Sequence, residues 1–389
     1  MTPSARISAA IEVLDQILAG ESAEKALTTW GRKHRFAGSR DRAALRDHVF
    51  DALRRRRSYA ALGGAETGRS IMIGALRHAG VPPEEMFTGE GHAPAPLTIA
   101  EQVTPDLANA PVPVRLDIPD WLYDRFTQSL GAQTEPALAA LQTRAPVTLR
   151  VNLRRADREA AMALLAQEDI ACIAHPQVRT AVQVTDNERK IQRSQAYLTG
   201  VVELQDAASQ AAILRLPLRK GDRVLDHCAG GGGKALGIAA LHDGPVYAHD
   251  VAPERMRDLG PRAERAGVTI TRLRTEAVAR HGPYELILLD APCSGSGTWR
   301  RAPEAKWWLT PADLARLCAV QSGLLAGAAP LIAPGGTLAY ATCSVLNEEN
   351  RVQVDAFTAA NPGWHLVDEM RLLPGGLWDG FYIAILQAT

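Results

Sequence analysis

The sequence predicts an α/β protein in which a doubly wound, mainly parallel sheet follows a helical region. From Gly221 onward, strand-like and helix-like segments alternate, as in parallel sheets that are covered by helices on both faces. Residues 4–62 instead repeat apolar side chains at helical spacing. Short alternating β-branched segments separate these two regions. Together they indicate one helical unit, one small mixed unit and one larger α/β unit.

The helical unit is predicted from apolar spacing of i, i+3, i+4 and i+7. The residues with this spacing are Ile7, Ala10, Ile11, Leu14, Ile17, Leu18, Leu45, Val49, Phe50 and Leu53. Shorter helices are predicted near 69–79 and 120–143. Six prolines within 88–119 predict an irregular connector. We therefore assign 1–140 to an all-helical domain.

The small mixed unit begins with "VTLRVNL" (147–153), an alternating, β-branched segment that predicts a strand. Asp157 is placed to cap the helix "REAAMALLAQ", and "IACIAH" and "TAVQVT" predict two further strands. A βαββ piece of this size is too small to stand alone. We assign 141–203 to an α+β subdomain that docks on the C-terminal α/β unit.

The remaining residues, 204–389, form the predicted doubly wound domain. Strands are predicted in "DRVLDHC", "PVYAHD", "VTITRLR", "YELILLD", "GTLAYAT" and "FYIAILQ". Helices are predicted in "KALGIAALH", "PERMRDLGPRAERAG", "PADLARLCAVQSGLLAGAAPLI" and "NEENRVQVDAFTAAN". Ligands of such sheets bind at the carboxyl ends of the strands. Those ends therefore predict where the functional residues lie.

Composition indicates an ordinary globular protein, with 46% hydrophobic and 22% charged residues. No apolar run of about 18 residues stands out, so no membrane span is expected. The N-terminal segment has helical spacing and does not resemble a secretory signal. Five widely spread cysteines without a CxxC pair argue against disulfides and zinc, and for a reducing cytoplasm.

Charge is balanced overall, since 43 Lys and Arg face 43 Asp and Glu. Total charge therefore does not predict a nucleic-acid ligand. Locally, however, ten Arg or Lys stand against three Asp between Arg32 and Arg57. Phosphate contacts need such local density, and a solvated helix face explains it equally well.

A glycine-rich turn, "LDHCAGGGGKA" (225–235), follows a strand and opens a helix. Glycines let the main chain approach a ligand closely. The pattern is not a P-loop, because Cys228 and Ala235 replace the required glycine and hydroxyl residue. A dinucleotide site and an S-adenosylmethionine site both fit. Each would use Asp250, at the end of the next strand, for ribose hydroxyls.

Two cysteines follow strand ends that are predicted to be neighbours. "LILLDAPCSGSGTWRR" places Asp290 at a strand tip with Cys293 just beyond, and "LAYATCSVLNEEN" places Cys343 at the next tip. Most free cysteines simply pack, which is the interpretation we give Cys172 and Cys318, and the packing role is also favoured for Cys228. Two thiols at one cleft are much harder to explain in this way.

One reaction uses a thiol, an acid and a methyl donor together. Carbon 5 of cytosine is a poor nucleophile until a thiolate adds to carbon 6. A carboxylic acid at the N3/N4 edge offsets the charge that develops on the ring. A second thiol can then assist loss of the carbon-5 proton and elimination of the first.

These motifs, with "LQDAASQAA" (204–212), resemble RNA cytosine-C5 methyltransferases of the NOL/NOP/Sun type, and most closely the bacterial 16S rRNA small-subunit methyltransferase B group. The resemblance implies a class I, Rossmann-like S-adenosylmethionine-dependent domain with a small α+β subdomain and an N-terminal all-α, NusB-like, RNA-binding domain. It implies that Cys343 is the nucleophile, that Cys293 assists product release, and that Asp290 contacts cofactor and base.

The resemblance also implies the cofactor-binding residues, which are Cys228, Ala229, Gly230, Gly231, Gly232, Gly233, Lys234, Asp250 and Asp290. The sequence departs from the family where glycines around Gly231 replace the usual Ala-Pro, an exchange expected to weaken cofactor binding. It also departs in "RLRTEAV", where either Thr275 or Glu276 would have to contact the adenine. Arg300, Arg301 and Lys306 are placed either to contact RNA phosphates or to form a solvated surface.

We therefore expect a monomeric, cytoplasmic enzyme without a metal that makes 5-methylcytosine in RNA. Ribosomal RNA is the favoured substrate and transfer RNA the alternative. A nucleotide-dependent oxidoreductase would need neither cysteine. An assembly factor with an inactive methyltransferase fold would not need both cysteines and Asp290.

Overall fold

The computed structural model describes all 389 residues, which divide into two compact units. One unit comprises Met1–Arg144 and Trp299–Trp308. The other comprises Ala145–Thr298 and Leu309–Thr389. The sequence-based boundaries did not anticipate that a ten-residue segment from the C-terminal half would pack in the helical unit.

The helical unit confirms the predicted α-helical region. Its helices are Pro3–Leu18, Ala23–Lys33, Ser39–Arg54, Arg56–Gly63, Gly68–His78, Val112–Arg115, Asp120–Leu130, Thr134–Leu141 and Ala305–Trp308. Thr2 caps the first helix by accepting a hydrogen bond from Ala5 N. The apolar stripe predicted from the sequence forms the core, in which Val13, Leu14 and Val49 are fully buried.

The segment Trp299–Trp308 is held inside the helical unit by hydrogen bonds to main-chain atoms. Trp307 Nε1 donates to Leu53 O at 2.8 Å, and Lys306 Nζ donates to Arg54 O at 2.9 Å. Arg54 Nε donates to Arg300 O at 2.7 Å. Burial lowers the pKa of Lys306 to about 8.

The sequence predicted that three basic residues of this segment either contact RNA phosphates or form a solvated surface. Both predictions are wrong for two of them. Arg300 and Lys306 are only 2% and 3% exposed, so they form neither a phosphate contact nor a solvated surface. The physical reason is their setting among tryptophans, because Trp299 and Trp307 draw the segment into the helical core. Arg301 is exposed.

The second unit begins with a four-stranded antiparallel sheet. Its strands are β1 (Val147–Val151), β2 (Cys172–Ala174), β3 (Ala181–Val184) and β4 (Val202–Leu204), in the order β2-β3-β1-β4. Asp157 caps the helix Arg158–Ala166 by accepting from Ala160 N at 2.7 Å, as predicted. The sequence analysis missed β4, which is short and ends in an exposed leucine.

The larger sheet has seven strands. They are β5 (Val224–Asp226), β6 (Val246–His249), β7 (Thr271–Leu273), β8 (Tyr284–Asp290), β9 (Ile332–Thr342), β10 (Trp364–Leu372) and β11 (Phe381–Ala388), in the order β10-β11-β9-β8-β5-β6-β7. Strands β5 to β9 pair in parallel, and β10 and β11 are antiparallel. Side chains of β5, of β8 and of the last five residues of β9 are almost entirely buried, as in a sheet covered on both faces.

The helices of this unit are Arg158–Ala166, Gln195–Leu198, Ala207–Arg215, Gly233–Leu241, Leu259–Ala266, Thr275–His281, Pro311–Ala328 and Arg351–Ala360. The segment Pro311–Leu331 is long and apolar enough to cross a membrane by length and composition alone, which differs from our expectation that no stretch would be. The predicted helix 253–267 is instead a short 3-10 turn followed by a helix that begins at Leu259.

Candidate active site

Two thiols meet at the carboxyl ends of adjacent strands. Strands β8 and β9 pair in parallel up to Asp290 and Ala341, so the loops after them leave the sheet side by side. Cys293 Sγ and Cys343 Sγ lie 3.4 Å apart. The predicted proximity of the two cysteines and Asp290 is therefore present in the structure.

A buried carboxylate ties the two cysteine loops together. Glu349, which is fully buried, accepts from Ser294 N at 2.8 Å and from Ser294 Oγ at 2.5 Å. Gln321 Nε2 donates to the same carboxylate and to Pro292 O, at 3.1 and 3.0 Å. These charge-assisted bonds fix the main chain next to Cys293.

A hydroxyl pair makes a second link between the loops. Ser296 Oγ and Ser344 Oγ lie 2.8 Å apart, and Val345 N donates to Ser296 Oγ at 2.9 Å. Gly297 N donates to Cys343 O at 2.9 Å. The thiols are thus held by residues that flank them on both loops.

The surroundings of the thiols favour the thiolate at Cys343. The hydrogen bond from Cys293 lowers the pKa of Cys343, and the Lys234 ammonium and the Thr298 hydroxyl act in the same direction, whereas burial and the charge of Asp290 oppose them. The same hydrogen bond, together with burial, raises the pKa of Cys293 well above its usual range. Cys293 is therefore the proton donor of the pair, and Cys343 is the thiol that more readily becomes a nucleophilic thiolate.

The other three thiols have the opposite character. Burial raises the pKa of Cys228 to about 12 and that of Cys318 to about 11, and it raises the pKa of Cys172. Cys318 also donates to Glu348 O at 3.5 Å. Among the five cysteines, only Cys343 has a lowered pKa.

An acid–base cluster lies beside the thiols. Lys234 Nζ is 2.6 Å from Asp290 Oδ2 and 5.0 Å from the centroid of the Phe381 ring. Burial, and then the charge of Asp290, raise the pKa of Asp226 to about 7. Asp226 can therefore exchange a proton near neutral pH. Lys234 is also one of the predicted cofactor-binding residues, and that role stays a prediction.

The glycine loop adopts the backbone that its sequence requires. Gly230 and Gly232 have φ of 50° and 79°, a region that favours glycine. Asp250 is buried and accepts from Gly230 N and Ala252 N, both at 2.9 Å. Arg255 Nη1 also lies 3.3 Å from Asp250 Oδ2. A carboxylate has about four acceptor positions, so Asp250 retains capacity for one ribose hydroxyl. The loop and this acid together fit S-adenosylmethionine, with the loop placed for its methionine part and Asp250 for its ribose.

Arg150, in the small sheet, supports the glycine loop from behind. It is buried, and its Nη1 donates to Gly233 O at 2.7 Å and to Gln205 Oε1 at 2.5 Å. Of the two candidate adenine contacts, Thr275 Oγ1 lies 3.0 Å from His249 Nε2, and Glu276 is exposed. Either adenine contact stays a prediction.

Replacing Gly232 with alanine is expected to damage the loop. The new Cβ would lie 2.2 Å from Leu259 Cδ1, in a residue whose φ is positive. The strain should lower the free energy of unfolding by about 1–3 kcal/mol and weaken calorimetric binding of S-adenosylmethionine. Gly323→Ala is the matched control, because its Cβ would meet no atom within 4 Å. Equal stability of both variants would contradict this loop geometry.

Mild peroxide is expected to join Cys343 and Cys293. The Cys343 thiolate would attack the peroxide to give a sulfenic acid and hydroxide, and the Cys293 thiol would then displace water to form the disulfide. The 3.4 Å separation makes the second step immediate. Mass spectrometry should show the loss of two hydrogens, reversed by dithiothreitol. A Cys293→Ala chain should form no such bond, and a disulfide to Cys318 instead would contradict the geometry.

Sequence reasoning missed Glu349, Asp226 and Arg150. Glu349 stands in "NEEN", directly after the second cysteine motif, and that acidic pair was the available signal. Asp226 is the last residue of the strand before the glycine loop, and the strand pattern gave no reason to assign it a further role. Nothing in the sequence marks Arg150, which lies within an alternating strand. No group of three or more His, Cys, Asp or Glu that could hold a metal ion occurs in the chain.

Two family models match the chain. One, described as 16S rRNA methyltransferase RsmB/F, matches residues 212–387, and the other, described as Methyltr_RsmF/B-like, ferredoxin-like domain, matches residues 118–192. Ribosomal RNA small subunit methyltransferase B of Sodalis glossinidius is 38% identical over 250 residues, covering 63% of this chain and 58% of that protein. Its counterpart in Erwinia tasmaniensis is 33% identical over 289 residues, covering 69% of this chain and 66% of that protein. The chain thus spans less than two thirds of the length of these relatives.

Solved structures share the fold. The crystal structure of PH0851 matches with a TM-score of 0.77 and 24% identity over 99% of both chains. A methyltransferase homolog protein from Pyrococcus horikoshii gives a TM-score of 0.63 and 25% identity, covering 71% of this chain and 97% of that one. NSun6 from Pyrococcus horikoshii with SFG gives a TM-score of 0.62 and 18% identity, covering 69% of this chain and 98% of that one. The predicted Rossmann-like methyltransferase fold is confirmed.

Proposed function

The chain belongs to the RsmB/F family of 16S rRNA methyltransferases, and we propose that it methylates carbon 5 of a cytosine in RNA through a covalent cysteine adduct. The observation that carries the proposal is the pair of thiols 3.4 Å apart, next to Asp290. S-adenosylmethionine, when bound, supplies the methyl group. Lys234 and the glycine loop would hold its methionine part, and Asp250 would hold its ribose.

Cys343 performs the first step. Its sulfur forms a bond to carbon 6 of the cytosine, and the electrons of the 5,6 double bond move toward carbon 5 and the ring nitrogen. The lowered pKa of Cys343 supplies the thiolate that this attack needs. Carbon 5 then has the electron density to take the methyl group.

Asp290 and Lys234 handle the charge on the ring edge. Asp290 accepts from the N4 amino group, and the 2.6 Å contact with Lys234 provides a source for the proton that neutralises the ring. Asp226, whose pKa burial and the charge of Asp290 raise to about 7, is a further buried acid that feels the charges of this pair. Asp290 and Lys234 thus form an acid–base pair at the ring edge.

Cys293 performs the last step. The thioether at Cys343 carries no charge and accepts hydrogen bonds only weakly, so adduct formation weakens the largest cause of the raised Cys293 pKa. Cys293, as a thiolate, would then accept the proton from carbon 5. Loss of that proton restores the double bond as the Cys343–carbon 6 bond breaks.

The substrate must present an unpaired cytosine. The site lies at the carboxyl ends of β8 and β9, and a base that is stacked inside an RNA helix cannot enter it. Family membership favours 16S rRNA. Such an enzyme works in the cytoplasm. Transfer RNA remains the second candidate substrate.

Bisulfite sequencing of total RNA tests the substrate and the chemistry together. A strain that lacks the gene should lose one or more 5-methylcytosine positions in 16S rRNA, and the wild-type gene should restore them while a Cys343→Ala gene should not. If 5-methylcytosine is lost only from transfer RNA, then transfer RNA is the substrate. If no 5-methylcytosine is lost, the proposal is wrong. Calorimetric binding of NADH without S-adenosylmethionine binding would favour an oxidoreductase instead.

A further inference from the structure

An aromatic side chain stands in solvent on the helical unit. Phe36, in the loop between the helices Ala23–Lys33 and Ser39–Arg54, is 73% exposed. A large apolar ring at that exposure has no role in the core of its own unit. Aromatic rings that are held in this way are common platforms for unpaired nucleic-acid bases.

The ring is supported from below by two further rings. His34 stacks on buried Trp30 with centroids 4.3 Å apart, and Phe36 meets the edge of His34 at 5.7 Å. Trp30 Nε1 donates to Glu12 Oε2 at 3.2 Å, and His34 Nδ1 lies 2.9 Å from Trp30 O. The exposed ring therefore has an ordered base, which reduces the entropy that stacking would cost.

The basic run around this ring separates into two groups. Its later members are engaged within the protein: Arg46 pairs with Glu24, Arg54 donates to Arg300 O, Arg56 pairs with Glu66, and Arg57 pairs with Asp120. Arg32, Lys33, Arg35 and Arg40 are exposed and form no ion pair. The neighbouring acid, Asp41, is already bound to the Met1 amino group and to Arg6.

A groove adjoins the ring. Its volume is about 830 Å³, and its walls include Met1, Glu12, Trp30, His34, Phe36 and His92. That volume lies in the range of sites that take small organic ligands, and a single nucleotide is such a ligand in size. The groove thus combines an aromatic wall with hydrogen-bonding groups, among them the carboxylates of Glu12 and Glu90, and the exposed cations Lys33 and Arg35 flank its wall residues His34 and Phe36 in the chain.

We propose that Phe36 stacks with an unpaired base of the substrate RNA, while Arg32, Lys33, Arg35 and Arg40 contact the flanking phosphates. The surplus of unpaired cations selects a polyanion, and an exposed ring selects a strand whose bases are not already stacked. This docking site rests on the proposed function for its ligand, RNA, but its test does not depend on methylation.

The test is the affinity of the full chain for a fluorescein-labelled single-stranded RNA, measured by anisotropy with the same sequence as a duplex for comparison. Phe36→Ala should weaken single-strand binding about 5- to 100-fold, and Phe36→Tyr should retain it. Each of Arg32→Gln and Arg35→Gln should reduce the salt dependence of log affinity by about 0.7. Lys220→Gln, an exposed cation of the other unit, is the control and should change neither quantity.

Methylation measured over a range of RNA concentrations separates this site from the proposed activity. Phe36→Ala should raise the RNA concentration needed to reach saturation about 5- to 100-fold, in step with its weaker binding. If wild-type protein binds RNA through Phe36 but methylates no cytosine, the proposed function fails and the docking site stands. If Phe36→Ala binds single-stranded RNA as tightly as wild type, the docking site is wrong and the exposed ring is left to a protein partner.

Discussion

A Cys293→Ala chain is expected to accumulate a covalent RNA–protein adduct that survives a denaturing gel. Cys343 would still attack carbon 6, because its sulfur and the nearby Lys234 ammonium remain, but more slowly, because the hydrogen bond from Cys293 that lowers its pKa is lost. Release would stall, because the thiol 3.4 Å away that assists proton loss is gone. Turnover should fall at least about 100-fold, the scale of a lost general base. The measurement is the fraction of protein shifted on the gel after incubation with RNA and S-adenosylmethionine.

Two further variants define this experiment. Cys343→Ala should form no adduct and show no methylation, because no other cysteine has a lowered pKa. Cys318→Ala is the matched control, since that thiol is half-buried, has a pKa of about 11 and should be dispensable. Adducts in the Cys343→Ala chain and none in the Cys293→Ala chain would mean that the two roles are exchanged.

Replacing Lys234 with methionine is expected to have the second largest effect. The change removes the cation that contacts Asp290 and favours the Cys343 thiolate. The pKa of Cys343 should rise, so that less thiolate is present at neutral pH, and charge on the ring would lose its stabilising partner. Methylation should fall about 100-fold or more.

The pH dependence of alkylation isolates the electrostatic part of this effect. In the wild-type chain, the rate at which iodoacetamide modifies Cys343 should rise with pH, with a midpoint below the ordinary thiol value of 9.0, because only the thiolate reacts. In the Lys234→Met chain, the midpoint should move to higher pH. Lys220→Met, which is exposed, should leave it unchanged. An unchanged midpoint in the Lys234 variant would exclude this residue as a cause of the lowered pKa.

The strand-end geometry could be predicted because the sequence carries it locally. The segments that form β8 and β9 are apolar runs that end in polar residues, and neighbouring parallel strands bring their carboxyl ends together. The glycines of the cofactor loop were likewise local signals, since positive φ at Gly230 and Gly232 requires that residue type. The helical N-terminal region could be predicted from spacing alone.

The supporting contacts could not be predicted, because they join residues far apart in the chain. Glu349 binds a residue 55 positions away, and Arg150 binds one 83 positions away. The predictions for Arg300 and Lys306 failed for the same reason, since only the tertiary packing of Trp307 shows that their segment is buried. The basic run around Phe36 could be divided into paired and unpaired cations only once their partners were known.

Peptide mapping of the trapped adduct tests the central claim most directly. The Cys293→Ala chain would be incubated with RNA and S-adenosylmethionine, digested with protease and nuclease, and sequenced by tandem mass spectrometry. We predict one modified peptide, containing "YATCSV", with Cys343 linked to a methylated cytidine. A nucleotide attached to any other residue, or methylated RNA formed without any adduct, would contradict the claim that Cys343 is the nucleophile.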